Sequence, residues 1–259
     1  MDRLKTYKLF IPIGSFMMLL VIAEAFLRLF NVPDYYFPTP SSIFLEIFFS
    51  VKIIIPHLMV TMIEALIGFI GGNLCALIVA VIFSELQIIK LGLYPIMIGL
   101  QAVPIIAIAP FINIWFGPTI LGKAIMAGLI CYFPAVVIAT NGFSTTNRDA
   151  FYLLESIGAT KWQIFYHLRL PSAIPSIVSA LQISSTLCTI GAIVAELSGA
   201  SKGVGYIIVR ASYEFRTTML FATLAVTSIA TITLFKFVQF IGDKYGKRFS
   251  LSYVVNSNE

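Results

Sequence analysis

The chain has 259 residues, of which 59% are hydrophobic and 11% are charged, and its formal net charge is +5. Soluble domains carry about 25% charged residues, so this composition excludes a water-soluble domain and indicates an integral membrane protein. The small excess of positive charge is explained by membrane topology and does not indicate a nucleic-acid partner.

Six apolar runs follow one another along the chain, near 9–30, 58–83, 88–109, 119–140, 173–195 and 218–240. Each has about the 20 residues that an α-helix needs to cross a hydrocarbon layer about 30 Å thick. Unpaired backbone groups are costly in lipid, and the alternating pattern of a membrane barrel is missing, so each run is predicted to be a helix. We therefore predict an all-α integral membrane fold with six transmembrane helices, the first retained because it is too long for a signal peptide.

The basic residues outside these runs are unevenly distributed between the two sides of the membrane. With the N-terminus inside, the inner segments hold Arg3, Lys5, Lys8, Lys90, Arg148, Lys161, Arg169, Lys244, Lys247 and Arg248. The outer segments hold only Lys52, Lys202, Arg210 and Arg216. Because Lys and Arg are enriched in short cytoplasmic segments, both termini of this multi-pass protein are predicted to be cytoplasmic.

Several residues within the runs are candidates for a transport path. Pro104 and Pro110, in AVPIIAIAP, predict a broken helix that either lines a path or kinks at the membrane surface. Glu64 lies within the second apolar run and Glu196 lies at the outer end of the fifth, and each either contacts a solute or joins an interhelical ion pair. Tyr206 either lines the outer mouth or belongs to an interfacial aromatic belt.

Two local spacings in the apolar runs have direct structural meaning. Glu24 and Arg28 are four residues apart, so they are expected to pair on one helix. Gly68 and Gly72 form GxxxG, a pattern that lets another helix approach closely.

A site for ATP, a metal or catalysis is not expected in this chain. Gly117–Ala124, GPTILGKA, has the glycine and lysine spacing of a phosphate-binding loop, but alanine stands where Ser or Thr must bind magnesium. A strand that would aim the helix at the phosphates is missing as well. Paired carboxylates, a nucleophile with its base and a metal-ligand set are not found in the sequence either.

The inner segment 141–172 is predicted to hold a pair of helices. Asp149–Ile157 is long enough for a short helix, and Gly158 is placed to end it in the left-handed conformation. Thr160 and Gln163 then fit a capping box that starts a second helix. Pro171 is predicted to end this helix and to start the fifth run.

The second helix of the pair is predicted to be amphipathic. On a helical wheel four apolar residues group together: Ile157, Ile164, Phe165 and Leu168. The other side carries Thr160, Gln163 and His167. Such a helix either rests in the lipid headgroups, caps the protein's own bundle, or forms a ridge for the groove of a partner.

The same segment resembles the coupling loop in the permease subunits of bacterial ABC importers, whose motif is EAA, Gly, nine residues and I-x-L-P. Gly158 matches the glycine, Leu168 stands for the Ile, and Leu170 with Pro171 match the end. Tyr152-Leu153-Leu154 replaces EAA, and the nearest acid is Glu155. The resemblance implies that the ATPase contacts Tyr152, Glu155, Gly158, Ala159, Thr160, Trp162, Ile164, Phe165, Leu168, Leu170 and Pro171.

Further stretches are similar to the subfamily that imports nitrate, sulfonates, taurine and vitamin precursors: FPTPSS, VPIIAIAP, WFG, GATKWQIF, GAIVAE and GASKGVGY. They extend over nearly the whole chain, so residues 1–259 are expected to form one permease domain of the type I importer kind in the inner membrane. The resemblance implies a second permease copy or a paralogue, two ATP-binding subunits that hold ATP and Mg, and an extracytoplasmic solute-binding protein.

The solute indicated by these resemblances is a vitamin precursor. WQIF, VPIIAIAP and IGAIVAE are similar to permeases linked to the thiamine pyrimidine precursor or riboflavin. The alternative is a sulfonate, taurine or nitrate, although permeases for sulfonates commonly have a basic residue where Glu64 stands. A different class of function is an ATPase-independent secondary transporter or channel, for which an internal repeat would be expected.

Overall fold

A computed structural model describes the chain from residue 2 to residue 254, with the side chains of residue 11 and of residues 14–244. Five basic residues that contribute to the predicted orientation have side chains outside the described residues: Arg3, Lys5, Lys8, Lys247 and Arg248. The cytoplasmic position of the termini therefore stays a prediction.

Within the described residues the chain forms ten α-helices and no strand. In chain order they are α1 (Asp2–Leu29), α2 (Pro40–Glu85), α3 (Gln87–Leu100), α4 (Ala109–Phe116), α5 (Ile120–Ser144), α6 (Arg148–Ser156), α7 (Lys161–Ile164), α8 (Leu170–Leu197), α9 (Val204–Tyr213) and α10 (Thr217–Val254). A 3₁₀ turn, Ile105–Ile108, precedes α4, and a π-helical turn, Phe165–Arg169, joins α7 to α8. The prediction of an all-α fold is confirmed.

In the described part of the chain, four stretches are long and apolar enough to cross a membrane: α2, α5, Lys161–Leu197 and Thr217–Lys244. A fifth is obtained if α3 and Ile105–Phe116, bent by 87° at the break between them, count as one span. This bend confirms the broken helix predicted around Pro104 and Pro110. The first predicted run, 9–30, lies mostly in α1 and reaches beyond the described side chains. The count of six spans is therefore not confirmed.

Helix α2 is much longer than the run 58–83 that was predicted there. It has 46 residues and continues through Pro56. At 1.5 Å per residue it is about 69 Å long, more than twice the thickness of the hydrocarbon layer. It begins early because the Thr39 hydroxyl accepts a hydrogen bond from the Ser42 N–H at 3.3 Å and Pro40 occupies the first turn.

The Glu24 carboxylate joins α1 to the start of α2. It accepts hydrogen bonds from the backbone N–H and the hydroxyl of Ser41 at 3.0 and 2.7 Å. It also accepts a hydrogen bond from Nε of Arg28 at 2.6 Å, which confirms the pair predicted from the spacing of four residues.

The centre of the bundle is formed by α2, α5 and α8. Small residues from these three helices form one buried cluster: Ala65, Ala127, Cys131, Cys188 and Ala192. Gly68 and Gly72 bring α2 so close to α5 that a Cβ at Gly72 would lie 2.5 Å from the carbonyl oxygen of Gly128. The close helix approach predicted from GxxxG is confirmed.

Replacing Gly72 by alanine is expected to destabilise the permease by about 1–3 kcal/mol, because overpacking at this contact forces two backbones apart. Gly71→Ala is the matched control, since a Cβ at Gly71 has no atom within 4 Å. Thermal unfolding of the two purified variants in the same detergent provides the measurement. Equal melting temperatures for the two variants would contradict the packing described.

Candidate coupling site

The first helix of the predicted pair, α6, ends at Gly158. Gly158 has φ of +79°, and its N–H donates to the carbonyl of Glu155 at 3.0 Å. The N–H of Ala159 donates to the carbonyl of Leu154 at 3.0 Å, which completes a Schellman motif. The predicted left-handed break at Gly158 is confirmed, and it sets the angle between α6 and the following helix.

A capping box starts the second helix, as predicted. The Thr160 hydroxyl accepts from the N–H of Gln163 at 3.3 Å, and the N–H of Thr160 donates to Oε1 of Gln163 at 2.8 Å. The two reciprocal bonds satisfy amide groups that would otherwise lack partners at the helix start.

The second helix does not end at Pro171, so that prediction is wrong. The chain is helical without interruption over Lys161–Leu197. Immediately before Pro171 the helix widens into the π-helical turn, in which the N–H of Leu170 donates to the carbonyl of Phe165. Pro171 lies in the first turn of α8. The wider turn makes room for the proline ring and leaves no α-helical hydrogen bond for its missing N–H to break.

One face of this second helix is buried in the protein's own bundle. Ile164, Phe165 and Leu168 are 5%, 8% and 3% exposed. The Phe165 ring stacks on Phe143 of α5 with 5.9 Å between centroids. Of the three interpretations of the amphipathic helix, the cap on the bundle describes this face. These three side chains are covered by the chain itself and are unavailable to a partner.

Large apolar residues lie exposed on the outer side of the helix pair. Tyr152, Leu153, Ile157, Trp162 and Tyr166 are between 60% and 72% exposed, and we call these five residues the coupling surface. The predicted grouping of Ile157 with the buried face was wrong, because the chain changes direction at Gly158 and Ile157 does not belong to the second helix. Large apolar side chains that stay exposed on such a helix pair are typical of an interaction site.

Arg169 connects this pair of helices to the ends of two spans, α2 and α8. Its Nη1 donates to the backbone carbonyl of Ser84 at 2.9 Å and to Oε1 of Glu85 at 2.8 Å. Its guanidinium also lies 5.5 Å from the centroid of the Phe151 ring in α6. Because Glu85 is the last residue of α2 and Arg169 directly precedes α8, these contacts connect α6 to two spans.

Tyr152 stands where the family motif has its acid, and Glu155 is the nearest acid in the sequence. Tyr152 occupies the first position of the EAA element and is 61% exposed. Glu155 is exposed, and its carboxylate makes no hydrogen bond or ion pair with the part of the chain that the structure describes. Glu155 is thus free to contact a polar group of a partner. Of the other predicted coupling residues, Gly158 and Thr160 are exposed, whereas Ala159, Leu170 and Pro171 are half-buried.

Glu64, a predicted path residue, forms an ion pair between α2 and α5. Its Oε1 lies 3.0 Å from Nζ of Lys123, and the two side chains are 0% and 5% exposed. Lys123 is the lysine of GPTILGKA, and its ammonium group is therefore taken by Glu64. The geometry matches the interhelical pair that was the alternative to a solute contact.

Glu196 holds the following loop, GASKGVGY, against α2. Its Oε1 accepts from the Thr61 hydroxyl at 2.6 Å, and its Oε2 accepts from the Gly205 N–H at 2.6 Å. The Thr61 hydroxyl in turn accepts from the N–H of Val204 at 2.8 Å. A Cβ at Gly203 would overlap the Glu196 carboxylate, so this position requires glycine. Glu196 has a structural partner for each of its oxygens.

Tyr206 lies beside this network, and its ring stacks on His57 with 5.5 Å between centroids. A cavity of about 120 Å³ adjoins both rings and is also lined by Arg210, Glu214 and Arg216. The hydrogen bond from the Arg210 guanidinium lowers the pKa of the Glu214 carboxyl below its usual value. Arg216 lies 3.3 Å from Glu46, so each arginine in the lining has an acidic partner.

The broken helix around Pro104 and Pro110 meets the same end of the bundle. Nδ2 of Asn113 in α4 donates to the carbonyl of Ser198 at 2.9 Å, directly after α8. The predicted path residues therefore lie on neighbouring elements, but they do not line one common cavity. His57 and Thr61 could not be predicted as part of this network, because a lone His and a helical Thr occur in many structural roles.

Comparison with known proteins identifies the chain's family. Residues 72–251 match the family described as "Binding-protein-dependent transport system inner membrane component". A probable ABC transporter permease protein of Haemophilus influenzae is 31% identical, with 84% of this chain and 89% of the relative covered. The formylaminopyrimidine transport permease protein ThiX of Halalkalibacterium halodurans is 32% identical, with 88% and 91% covered. The riboflavin transport system permease protein RibX of Chloroflexus aurantiacus is 27% identical, with 85% and 83% covered.

A solved structure has the same fold. A chain of the MetNI methionine ABC transporter, in inward-facing conformations, superposes with a TM-score of 0.55 at 21% identity and covers 77% of this chain and 95% of its own length. The apolar helices of the structure are consistent with this family match. The chain belongs to the binding-protein-dependent transport system inner membrane components and is a permease subunit of an ABC importer.

Proposed function

We propose that this permease imports a vitamin precursor, a thiamine pyrimidine precursor or riboflavin, using ATP hydrolysed by separate subunits. Two ATP-binding subunits, which hold ATP and Mg, contact two permease copies, and an extracytoplasmic solute-binding protein delivers the solute. The end of the bundle that carries α6, and with it both termini, faces the cytoplasm. The observation that carries this proposal is the exposed coupling surface on a helix pair that is fastened to two spans.

The coupling surface is the part of the permease through which movement of the ATPase reaches the bundle. An ATPase that seats Tyr152, Trp162 and their neighbours in a groove moves α6 when it closes on ATP. Arg169 transmits this movement to α2 through Glu85 and to α8 through the continuous helix. Because packed helices respond as rigid bodies, the bundle changes between its inward-facing and outward-facing states.

Charge and aromatic surface support a solute without a strong negative charge. Lys123 is neutralised by Glu64, so it presents no free cation to a sulfonate or nitrate. The His57–Tyr206 pair offers a stacking surface of the kind that flat heterocycles bind, beside a cavity with compensated charges. The names of two relatives, a formylaminopyrimidine permease and a riboflavin permease, support the same class of solute.

Uptake by reconstituted vesicles tests the proposal. The permease is expressed with the neighbouring genes for its ATPase and binding protein, purified as a complex and placed in liposomes containing ATP. We expect ATP-dependent uptake of formylaminopyrimidine or riboflavin that excess taurine does not inhibit. If the vesicles take up taurine instead, only the proposed identity of the solute is contradicted. Uptake in ATP-free vesicles, by a chain that never retains an ATPase, would contradict the importer mechanism itself.

A further inference from the structure

A cleft of about 390 Å³ lies beside the coupling surface, where α2 ends, α3 begins and α5 meets α6. Three basic residues line it, Lys90, Arg148 and Arg169, together with the hydroxyls of Ser144 and Thr146. Arg169 and Tyr152 of its lining take part in the proposed mechanism, but that mechanism assigns no ligand to the cleft. Its lining is polar and positively charged although the surrounding helices are apolar.

Two of the three positive charges in the cleft are uncompensated. Arg169 is paired with Glu85 at 2.8 Å. Nζ of Lys90 donates to the Ser144 hydroxyl at 2.8 Å but has no acidic partner among the described residues, and the same is true of Arg148. A pair of free cations in a concave site is suited to an anion with several acceptor oxygens, such as a phosphate group.

The cleft lies at one end of two helices that are long and apolar enough to cross a membrane. Glu85 and Ser144, beside the cleft, are the last residues of α2 and α5. Next to Lys90, α3 exposes Ile88 and Leu91, which are 87% and 72% exposed, and α3 has no buried residue. A basic cleft thus adjoins an uncovered apolar helix, which is the arrangement that an amphiphile with an anionic head requires.

We propose that this cleft binds the headgroup phosphate of an anionic phospholipid, with the acyl chains lying along α3. Basic pockets between membrane helices on the cytoplasmic side select anionic headgroups in this way. The inference depends on the proposed function only for the side of the membrane on which the cleft lies. Because Tyr152 also lines the cleft, the bound lipid contacts the segment that meets the ATPase.

Titration of the purified full-length permease with fluorescent phosphatidylglycerol in detergent tests this proposal. The double variant Lys90→Gln, Arg148→Gln is expected to bind the lipid about thirty-fold more weakly, since each cation near a charged lipid contributes about fivefold. The matched control is Lys52→Gln, Lys202→Gln, which removes the same charge from two exposed lysines elsewhere. Phosphatidylcholine should bind all three proteins equally weakly.

A further variant is expected to bind the lipid more tightly, so it tests the site by a gain of affinity. Glu85→Gln keeps a hydrogen-bond acceptor for Arg169 but frees its charge, and it should tighten phosphatidylglycerol binding severalfold. Unchanged binding in both the double variant and Glu85→Gln would overturn the proposal. Inorganic phosphate that binds at the same residues as tightly as the lipid would also overturn it, since the site would then take a free anion. Loss of the ATPase from Lys90→Gln, Arg148→Gln with unaltered lipid binding would reassign the cleft to the partner protein.

Discussion

Replacing Tyr152 and Trp162 together by alanine is expected to abolish most ATP-driven uptake while leaving the permease folded. The two side chains are 61% and 72% exposed, so their removal leaves few unfilled contacts within the chain itself. Aromatic residues are the usual energetic centres of interfaces, and the loss of such an anchor costs about 2 kcal/mol or more. We therefore expect the ATPase to bind at least about thirty-fold more weakly.

Co-purification of the ATPase, together with solute-stimulated ATP hydrolysis by the recovered complex, measures this effect. The matched control is Tyr36→Ala, Tyr213→Ala, which removes two aromatic rings that are 69% and 83% exposed at the other end of the bundle. The control should retain the ATPase at the level of the original protein. If the variant Tyr152→Ala, Trp162→Ala also retains the ATPase fully, the coupling surface is not where the ATPase binds.

The buried face of the same helix pair predicts a different outcome. Phe165 is 8% exposed and packs against Phe143, so Phe165→Ala should destabilise the permease by about 3–5 kcal/mol. A loss of transport in that variant would report on folding and not on the contact with the ATPase. The structure therefore separates the exposed residues of the coupling surface from the buried residues that hold the helix pair against the bundle.

The local structure of the coupling loop was predictable, but the division between its two faces was not. Gly158 and the Thr160–Gln163 box act within a few residues, so their spacing determines their geometry. A helical wheel assumes one continuous helix of constant pitch. The break at Gly158 removed Ile157 from that helix, and the π-helical turn before Pro171 carried the helix into a span where a stop was expected.

Long-range partners could not be read from the sequence either. Glu64 and Lys123 are 59 residues apart in the chain and meet only because Gly68 and Gly72 allow α2 to approach α5. The alanine that follows Lys123 in GPTILGKA argues against ATP binding, but no residue near Lys123 in the sequence indicates which acid pairs with it. Glu196 likewise needed the folded loop to show that Gly205 and Thr61 complete its contacts.

The ion pair between Glu64 and Lys123 predicts the second large effect. Lys123→Met leaves a fully buried carboxylate without its cation, and breaking such a pair costs about 3–5 kcal/mol. Glu64→Gln should cost a similar amount, because the ammonium group of Lys123 is then unpaired. The double variant Glu64→Gln, Lys123→Met removes both charges, so its stability should return to within about 1 kcal/mol of the original protein.

Thermal unfolding of the purified permease in detergent provides the measurement, with Glu214→Gln as the control. Glu214 pairs with Arg210 at 2.7 Å, but both side chains are largely open to solvent, so the loss of that pair should leave the melting temperature almost unchanged. If the double variant is as unstable as either single variant, Glu64 and Lys123 are not held mainly by each other. If neither single variant is destabilised, the pair does not confine Glu64, and a direct contact between this carboxylate and the solute becomes the better explanation for an acid in the span.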